Sequence, residues 1–266
     1  MAFALGPAAA EAGYQLQSYD SVGSTNDAAL EAGRAGGGGP AWFVTGHQVS
    51  GRGRRGRAWE GPRGNLAASL LLETDVPIQV AVTLGFVAGL SLHDALSSFD
   101  LGHAEIRLKW PNDVLANGQK LSGILLESNA GSSGRLQIVV GIGTNIVSAP
   151  VGAPYRATCL SDLGAAVTAE MLFAALSDSW SARYAEWKAG ASSGQGMETI
   201  RQAWIARAAG IGGPVAVQSG GRTIEGLFET LDSDGRLIVL QDNGERVPVS
   251  AGDVHFGDAA TVKAAG

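Results

Sequence analysis

Polar and apolar residues alternate through Tyr14-Gln15-Leu16-Gln17-Ser18-Tyr19, the period of a strand with one face buried. Residues 1–13 show no such period and are expected to form a disordered leader. Ser24-Thr25-Asn26-Asp27 offers short polar side chains that can cap free amides ahead of Ala28-Ala29-Leu30-Glu31-Ala32, so a short helix is expected there, ended by the glycines of 36–39 and Pro40. Ala41-Trp42-Phe43-Val44-Thr45 reads as a strand entering an arginine- and glycine-rich segment, and 65–73, with Leu66, Leu70, Leu71 and Leu72, as the strand leaving it. A helix follows over 78–98, then strands at 106–110, 122–128 and 136–142, each bounded by Gly, Pro or Asn. Leu172, Leu176 and Trp180 recur at fourfold spacing and Tyr184 and Trp187 continue their stripe, which predicts an amphipathic helix over 168–187, with a second over 197–209.

The pattern changes at Gly210-Ile211-Gly212-Gly213-Pro214. Short strands then alternate with the hairpin signals Ser219-Gly220-Gly221, Asp232-Ser233-Asp234-Gly235 and Asp242-Asn243-Gly244. The expected organisation is an α/β (α+β) domain over 14–209, a small β-barrel over 213–258 and a disordered tail over 259–266, with no internal repeat.

Composition narrows the function classes. With 45% hydrophobic and 17% charged residues in 266, the chain can bury a sizeable core. Its one cysteine, Cys159, allows no intramolecular disulfide and fits a reducing compartment, and the first dozen residues lack the basic start and apolar core of a signal peptide, so a cytoplasmic location is expected. The most apolar run, 80–92, is interrupted by Thr83, Gly85, Gly89 and Ser91 and falls short of the roughly 20 residues a membrane span needs, so it reads as a buried helix and no membrane partner is expected. His47, His93, His103 and His255 are scattered without ligand spacing, which predicts no protein-bound metal.

Charge is focused rather than spread. Residues 51–63 hold Arg52, Arg54, Arg55, Arg57 and Arg63 against Glu60, a local +5 − 1 = +4 in a chain of net charge −6. Such a loop suits one small anion, whereas a nucleic-acid surface would need broad positive charge and more than 6% aromatics, so no nucleic-acid partner is expected. Taken singly, each polar cluster has a plain structural reading. The arginine run can be a solvated loop, Ser24-Thr25-Asn26 a helix cap, Pro111-Asn112-Asp113 a turn, Lys120 a surface lysine and Trp59 a core residue. Gly141-Ile142-Gly143 lacks the third glycine of a dinucleotide fingerprint because position 146 is Ile, and no Gly-Lys-Ser/Thr phosphate loop is present.

In combination the clusters say more. Ser24-Thr25-Asn26, His47-Gln48-Val49-Ser50-Gly51-Arg52-Gly53-Arg54-Arg55-Gly56, Lys109-Trp110-Pro111-Asn112-Asp113, Lys120-Leu121-Ser122-Gly123-Ile124-Leu125 and Gly141-Ile142-Gly143-Thr144-Asn145, in this order, resemble the biotin protein ligase family over 14–258. The resemblance implies a mixed-sheet, class II synthetase-like biotin/lipoate ligase domain with a small C-terminal SH3-like β-barrel. It implies an enzyme that joins biotin to ATP, giving biotinyl-5′-AMP and pyrophosphate, and passes biotin to a lysine of a biotin carboxyl carrier protein or domain, with Mg²⁺ accompanying the ATP. Lys120, Arg54 and Asp113 become the catalytic candidates: Arg54 at the phosphate, Lys120 at the biotin carboxylate and α-phosphate, Asp113 orienting the carrier lysine or helping to take its proton. Ser24, Thr25, Asn26 and Gln48 carry the neutral donors and acceptors an uncharged ureido group needs. Gly51, Arg52, Gly53, Arg55 and Gly123 complete the implied biotin site, and Arg54, Arg55, Trp59, Lys109, Asn112, Lys120 and Asn145 the implied ATP site. The rival within the fold is a lipoate or octanoate ligase or transferase; the 51–56 and 109–113 motifs favour biotin. Only 13 residues precede the first matching strand, too few for the helix-turn-helix that some members carry, so repression of transcription is not expected, and a homodimer is left open.

Overall fold

A computed structural model describes residues 2–37, 39–130, 134–153, 155–191 and 196–256. In chain order its elements are α1 (Pro7–Glu11), β1 (Gln15–Tyr19), α2 (Thr25–Arg34), β2 (Ala41–Thr45), β3 (Gln48–Arg52), β4 (Ala58–Gly61), β5 (Leu66–Thr74), α3 (Ile78–Ala81) and α4 (Leu84–Ser97). There follow β6 (Ile106–Lys109), β7 (Asp113–Ala116), β8 (Gln119–Ala130), β9 (Leu136–Thr144), α5 (Ala169–Ala191) and α6 (Gly196–Ile205). The last five strands are β10 (Pro214–Ser219), β11 (Arg222–Leu231), β12 (Leu237–Leu240), β13 (Arg246–Val249) and β14 (Asp253–Phe256).

Seven strands make one sheet in the order β1-β2-β5-β9-β8-β7-β6, parallel only between β1 and β2. The loose alternation of strands and helices expected from the pattern therefore hides antiparallel neighbours at the centre of the sheet, where β5, β9 and β8 run nine register pairs deep on either side of β9. Because side chains alternate across a strand, Leu70, Leu72, Ile138 and Val140 face one way into the main core, while Leu71 and Val139 face the other way beneath α2, with Phe43, Ala29 and Leu30. On the core face the predicted stripe of α5 is buried in full: Leu172, Leu176 and Trp180 are 0% exposed. Trp42 of β2 meets Phe173 and Trp180 edge-on, and Trp180, Tyr184 and Trp187 stack along the helix.

The residues expected to form a loose leader instead carry α1, which docks on α5. Ala9 is fully buried, the Gly6 amide donates to Ser177 Oγ at 2.9 Å, the Ala9 amide donates to Asp178 Oδ1 at 2.9 Å, and Phe3 packs edge-on against Phe173. Small residues let the segment lie close to α5, a mode of packing that leaves no hydrophobic period to read. The single helix expected over 78–98 is two, α3 and α4, parted at Val82-Thr83, where the Thr83 hydroxyl donates to Val80 O and accepts from Trp187 Nε1. Among the described residues, 78–97 is the one helical stretch long and apolar enough to cross a membrane by length and composition, and 67% of its apolar window is buried inside the protein.

The C-terminal strands form an antiparallel sheet in the order β13-β12-β11-β10-β14, SH3-like in strand content. It is the small SH3-like β-unit expected from the hairpin signals, left open among the described residues, where β13 and β14 do not pair with each other. The sheet is tied to the larger domain: Trp110 Nε1 donates to Gly235 O at 3.0 Å, and Phe86, edge-on to Trp204, lies where a Cβ on Gly235 would come within 2.4 Å of it. The turn joining β13 to β14 is thereby held over one end of the central sheet, beside the arginine segment. The tail over 259–266 lies outside the described residues.

Tyr14, at the junction of α1 and β1, is 9% exposed, and burial pushes its phenol up to about 12 from 10.0. The folded protein thus holds this proton where the unfolded chain has released it, so the stabilisation is complete below pH 10 and is lost as pH rises through 12. Two pH units correspond to roughly 2–3 kcal/mol. Urea midpoints measured from neutral pH to pH 12 should fall less steeply in Tyr14→Phe than in the parent protein; identical slopes would show that Tyr14 carries none of the alkaline loss.

Candidate active site

The face of the sheet beneath α2 loses its side chains just where α2 begins. Ala67, Gly143 and Gly123 lie side by side across β5, β9 and β8, and Ser69, Gly141 and Leu125 form the next row. The alternation Val140-Gly141-Ile142-Gly143 in β9 keeps Val140 and Ile142 in the core and leaves bare backbone on the opposite face. The result is an open-mouthed trough floored by backbone. A Cβ on Gly141 would come within 2.2 Å of Asn26 Oδ1, and one on Gly143 within 2.5 Å of the Trp59 indole.

Neutral polar groups from the start of α2 line one part of this trough. Ser24 is the helix N-cap and accepts from the Asp27 amide. The Thr25 amide and hydroxyl both donate to Gln48 Oε1, at 2.8 and 3.1 Å, which turns the donor end of the Gln48 amide outward. Ser69 Oγ lies within hydrogen-bond reach of Thr25 Oγ1 and Asn26 Oδ1, and Asn26 Nδ2 donates to Glu127 Oε2 at 2.7 Å. Thr25 and Asn26 are 3% and 5% exposed, so this network is held rigid before any ligand arrives.

One row along the strands the character changes to cationic. Lys120 Nζ stands 2.8 Å from Asp113 Oδ1, an ion contact without the alignment of a hydrogen bond, and lies 5.6 Å from the Trp59 ring and 5.1 Å from the Tyr155 ring. A register shift between β7 and β8 skips Leu121, so that Lys120 pairs with Leu115 on one edge while its other edge bridges to Ala157 of the segment 156–158, which brings Tyr155 over the site.

The arginine segment does not bridge β2 and β5 directly. It is the loop of the hairpin formed by β3 and β4, and Arg55 turns it in the left-handed region at φ 58. Its four guanidiniums are treated unequally. Arg52 forks between Asp27 and Glu127, and hydrogen bonding to Asp27 in the first place raises its pKa and lowers that of Asp27. Arg55 and Arg57 both pair with Asp253, at 2.7 and 2.6 Å. Arg54 faces the cavity, donates to Asn112 Oδ1 at 3.2 Å and Gly252 O at 3.4 Å, and makes no ion pair among the described residues. Burial pushes its pKa down. A partly desolvated cation with no carboxylate in direct contact, only Asp253 and Asp113 at longer range, gains strongly from an arriving anion.

Of the residues singled out from the sequence, Ser24, Thr25, Asn26, Gln48, Arg52, Gly53, Arg54, Trp59, Asn112, Asp113, Lys120 and Gly123 line this one cavity. Four do not. Gly51 packs against the Gln48 amide and Trp59 O, leaving no room for a Cβ, and Arg55 points to Asp253. Lys109 is half-buried outside the cavity with Nζ 5.6 Å from the Phe256 ring, and desolvation lowers its pKa. Asn145, expected beside the nucleotide, is 1% exposed and donates to Thr158 O at 3.1 Å, so it braces the strand that carries Lys120 rather than facing the cavity. The sequence reading missed Asp27, Glu127, Tyr155 and Asp253. Their partners lie up to 198 residues away, and only the adjacency of Asp27 to Asn26 was visible in the chain. Among the described residues no group of three His, Cys, Asp or Glu side chains is placed to hold a metal ion.

Known proteins resemble this chain in sequence and fold. Residues 36–145 match the sequence model of the biotin/lipoate A/B protein ligase family, and residues 210–257 that of the biotin protein ligase C-terminal domain. A biotin--[acetyl-CoA-carboxylase] ligase of Paracoccus denitrificans is 39% identical over 88% of this chain and 97% of its own length, and one of Mycobacterium tuberculosis is 36% identical over 80% and 77%. In fold, the biotin protein ligase of Aquifex aeolicus in complex with biotin and ATP superposes with a TM-score of 0.75 at 24% identity, covering 91% of this chain and 99% of that one. With a backbone-floored trough, a neutral pocket and a half-buried arginine that makes no ion pair among the described residues, on this fold and with these relatives, the chain belongs to the biotin protein ligase family.

Proposed function

We propose that the chain activates biotin with ATP and transfers it to a lysine of a biotin carboxyl carrier protein or domain. The observation that carries this reading is the change of character along a single trough, from neutral hydrogen-bonding groups at Thr25, Asn26 and Gln48 to the cations Arg54 and Lys120 one row away. Biotin has the same polarity, a neutral ureido ring at one end and a carboxylate at the other. A lipoyl or octanoyl chain would leave the buried amides and hydroxyls of the neutral end unpaired, at about 1–3 kcal/mol each, so the site favours biotin over both.

In the first step a biotin carboxylate oxygen attacks the α-phosphorus of ATP, the bond to the bridging oxygen breaks and pyrophosphate leaves. Two anions must meet, and Arg54 and Lys120 supply the preorganised positive charge that offsets their repulsion. Magnesium enters as the counter-ion of the nucleotide substrate. In the second step the carrier lysine amine attacks the acyl carbon, the bond to AMP breaks and an amide forms; Asp113, released as Lys120 turns to the anion, accepts the proton. No enzyme nucleophile is needed. The lone thiol of Cys159, buried and reduced, suits a cytoplasmic enzyme.

Exchange of labelled pyrophosphate into ATP should depend on biotin and not on lipoate or octanoate; exchange supported by lipoate alone would transfer the chain to the sister activity. Lys120→Ala should slow that exchange by about 10²-fold or more, as loss of a preorganised charge does, and an unaltered rate would remove Lys120 from the first step. Arg54→Gly should release biotinyl-AMP into solution, read as biotin appearing on bystander proteins, because the hairpin guanidinium that faces the cavity without an ion pair among the described residues is gone. Unchanged retention of the intermediate would contradict that role.

A further inference from the structure

Glu127 neither lines the cavity nor belongs to any of the sequence motifs, yet it joins two parts of the site. It lies on β8, on the α2 face, one row beyond Ser69, Gly141 and Leu125. Its Oε2 accepts from Asn26 Nδ2 at 2.7 Å, and the same carboxylate accepts from Arg52 Nη2 at 3.1 Å. An ionised carboxylate only accepts, so only the nitrogen end of the Asn26 amide can face it. The oxygen end is thereby turned towards Ser69 Oγ and over the bare backbone of Gly141, on the floor of the trough. A primary amide has no intrinsic preference between its two ends. Here the orientation is imposed from outside the cavity.

We infer that Glu127 is a positioning residue for the acyl-acid substrate: it holds Asn26 with its carbonyl oxygen presented as an acceptor to a ureido N–H, and it anchors the root of the arginine hairpin through Arg52. The inference rests on the biotin reading of the site. Arg52 is accordingly an internal strut, with Asp27 as its second support, and not a phosphate ligand. One carboxylate thus sets the polarity of the neutral pocket, while Arg52 keeps Asp27 as a second anchor for the hairpin that carries Arg54.

Pyrophosphate exchange measured as a function of biotin and of ATP separates these statements. In the parent protein, biotin-dependent exchange establishes the reading on which the inference rests, and its absence would fault that reading rather than Glu127. Glu127→Gln keeps the shape but offers Asn26 a group that can also donate, and should raise KM for biotin about tenfold, the 1.4 kcal/mol of one misdirected hydrogen bond, with KM for ATP changed less than about twofold. In an Asn26→Ala background the same substitution should leave KM for biotin unmoved, because the amide it orients is absent. A merely structural Glu127 would lower the active fraction, hence kcat, and leave both KM values in place; that result, or an undiminished effect in the Asn26→Ala background, overturns the inference. Should Glu127→Gln fail to fold, Ser69→Ala releases the other end of the same amide and gives the same test, with a KM rise for biotin that Asn26→Ala abolishes.

Discussion

A wide sheet ordinarily presents side chains from every strand on both faces, and a ligand can lie against its middle only where three neighbouring strands give them up together. That is what Ala67, Gly143 and Gly123 do in one row and Gly141 with Ser69 in the next. The constraint is steric and local, and the rest follows from it. The Trp59 indole can lie on Gly143 and Gly123, Asn26 can reach over Gly141 to Glu127, and α2 can start with its capping residues directed into the sheet. The opposite face stays largely apolar because the same strands keep Leu70, Val140 and Ile142 pointed into the main core, with Ser122 and Thr144 buried there as a hydrogen-bonded pair. Rigidity on one face is the condition for an opening on the other.

Charge is arranged by the same economy. Four arginines within six residues look from the sequence like one diffuse positive patch. In the folded protein, carboxylates from α2, β8 and β14 engage Arg52, Arg55 and Arg57, and Arg54 is left as the cation aimed into the trough. Exposed pairs such as Arg55 and Arg57 with Asp253 contribute little stability, about 0–1 kcal/mol each, so their significance is geometric. They hold a glycine-rich hairpin, with Arg55 itself in the left-handed region, against the C-terminal sheet. That sheet therefore completes the site instead of merely following it in the chain.

Much of this was legible in the sequence. The strand 41–45, the cap at Ser24 and the buried stripe Leu172, Leu176, Trp180 were readable because period and capping chemistry are local. The lysine and arginine candidates at 54 and 120 were readable because unusual motifs carry family likeness. What escaped reading depends on distant partners. Helix α1 docks through small residues that show no period, and the strands β3 and β4 are short and polar, so they read as loop. Glu127 and Asp253 matter through partners far along the chain, Asn26 and Arg52 for the one and Arg55 and Arg57 for the other, across 75 to 198 residues. The motif points Asn145 to the nucleotide, whereas its buried place at the end of β9, bonded to Leu121 and Thr158, is a matter of register, which no motif records.

The account stands on the side-chain-free floor, and calorimetric titration of biotin into Gly143→Ala beside the parent protein addresses it most directly. One added methyl group would meet the Trp59 indole at 2.5 Å and intrude on the trough without removing any polar group. The account predicts a folded protein whose biotin affinity falls roughly 10- to 100-fold, the 1–3 kcal/mol of an overpacked site. Undiminished affinity in a folded Gly143→Ala protein would mean that biotin does not lie on this floor, and would contradict the account at its base.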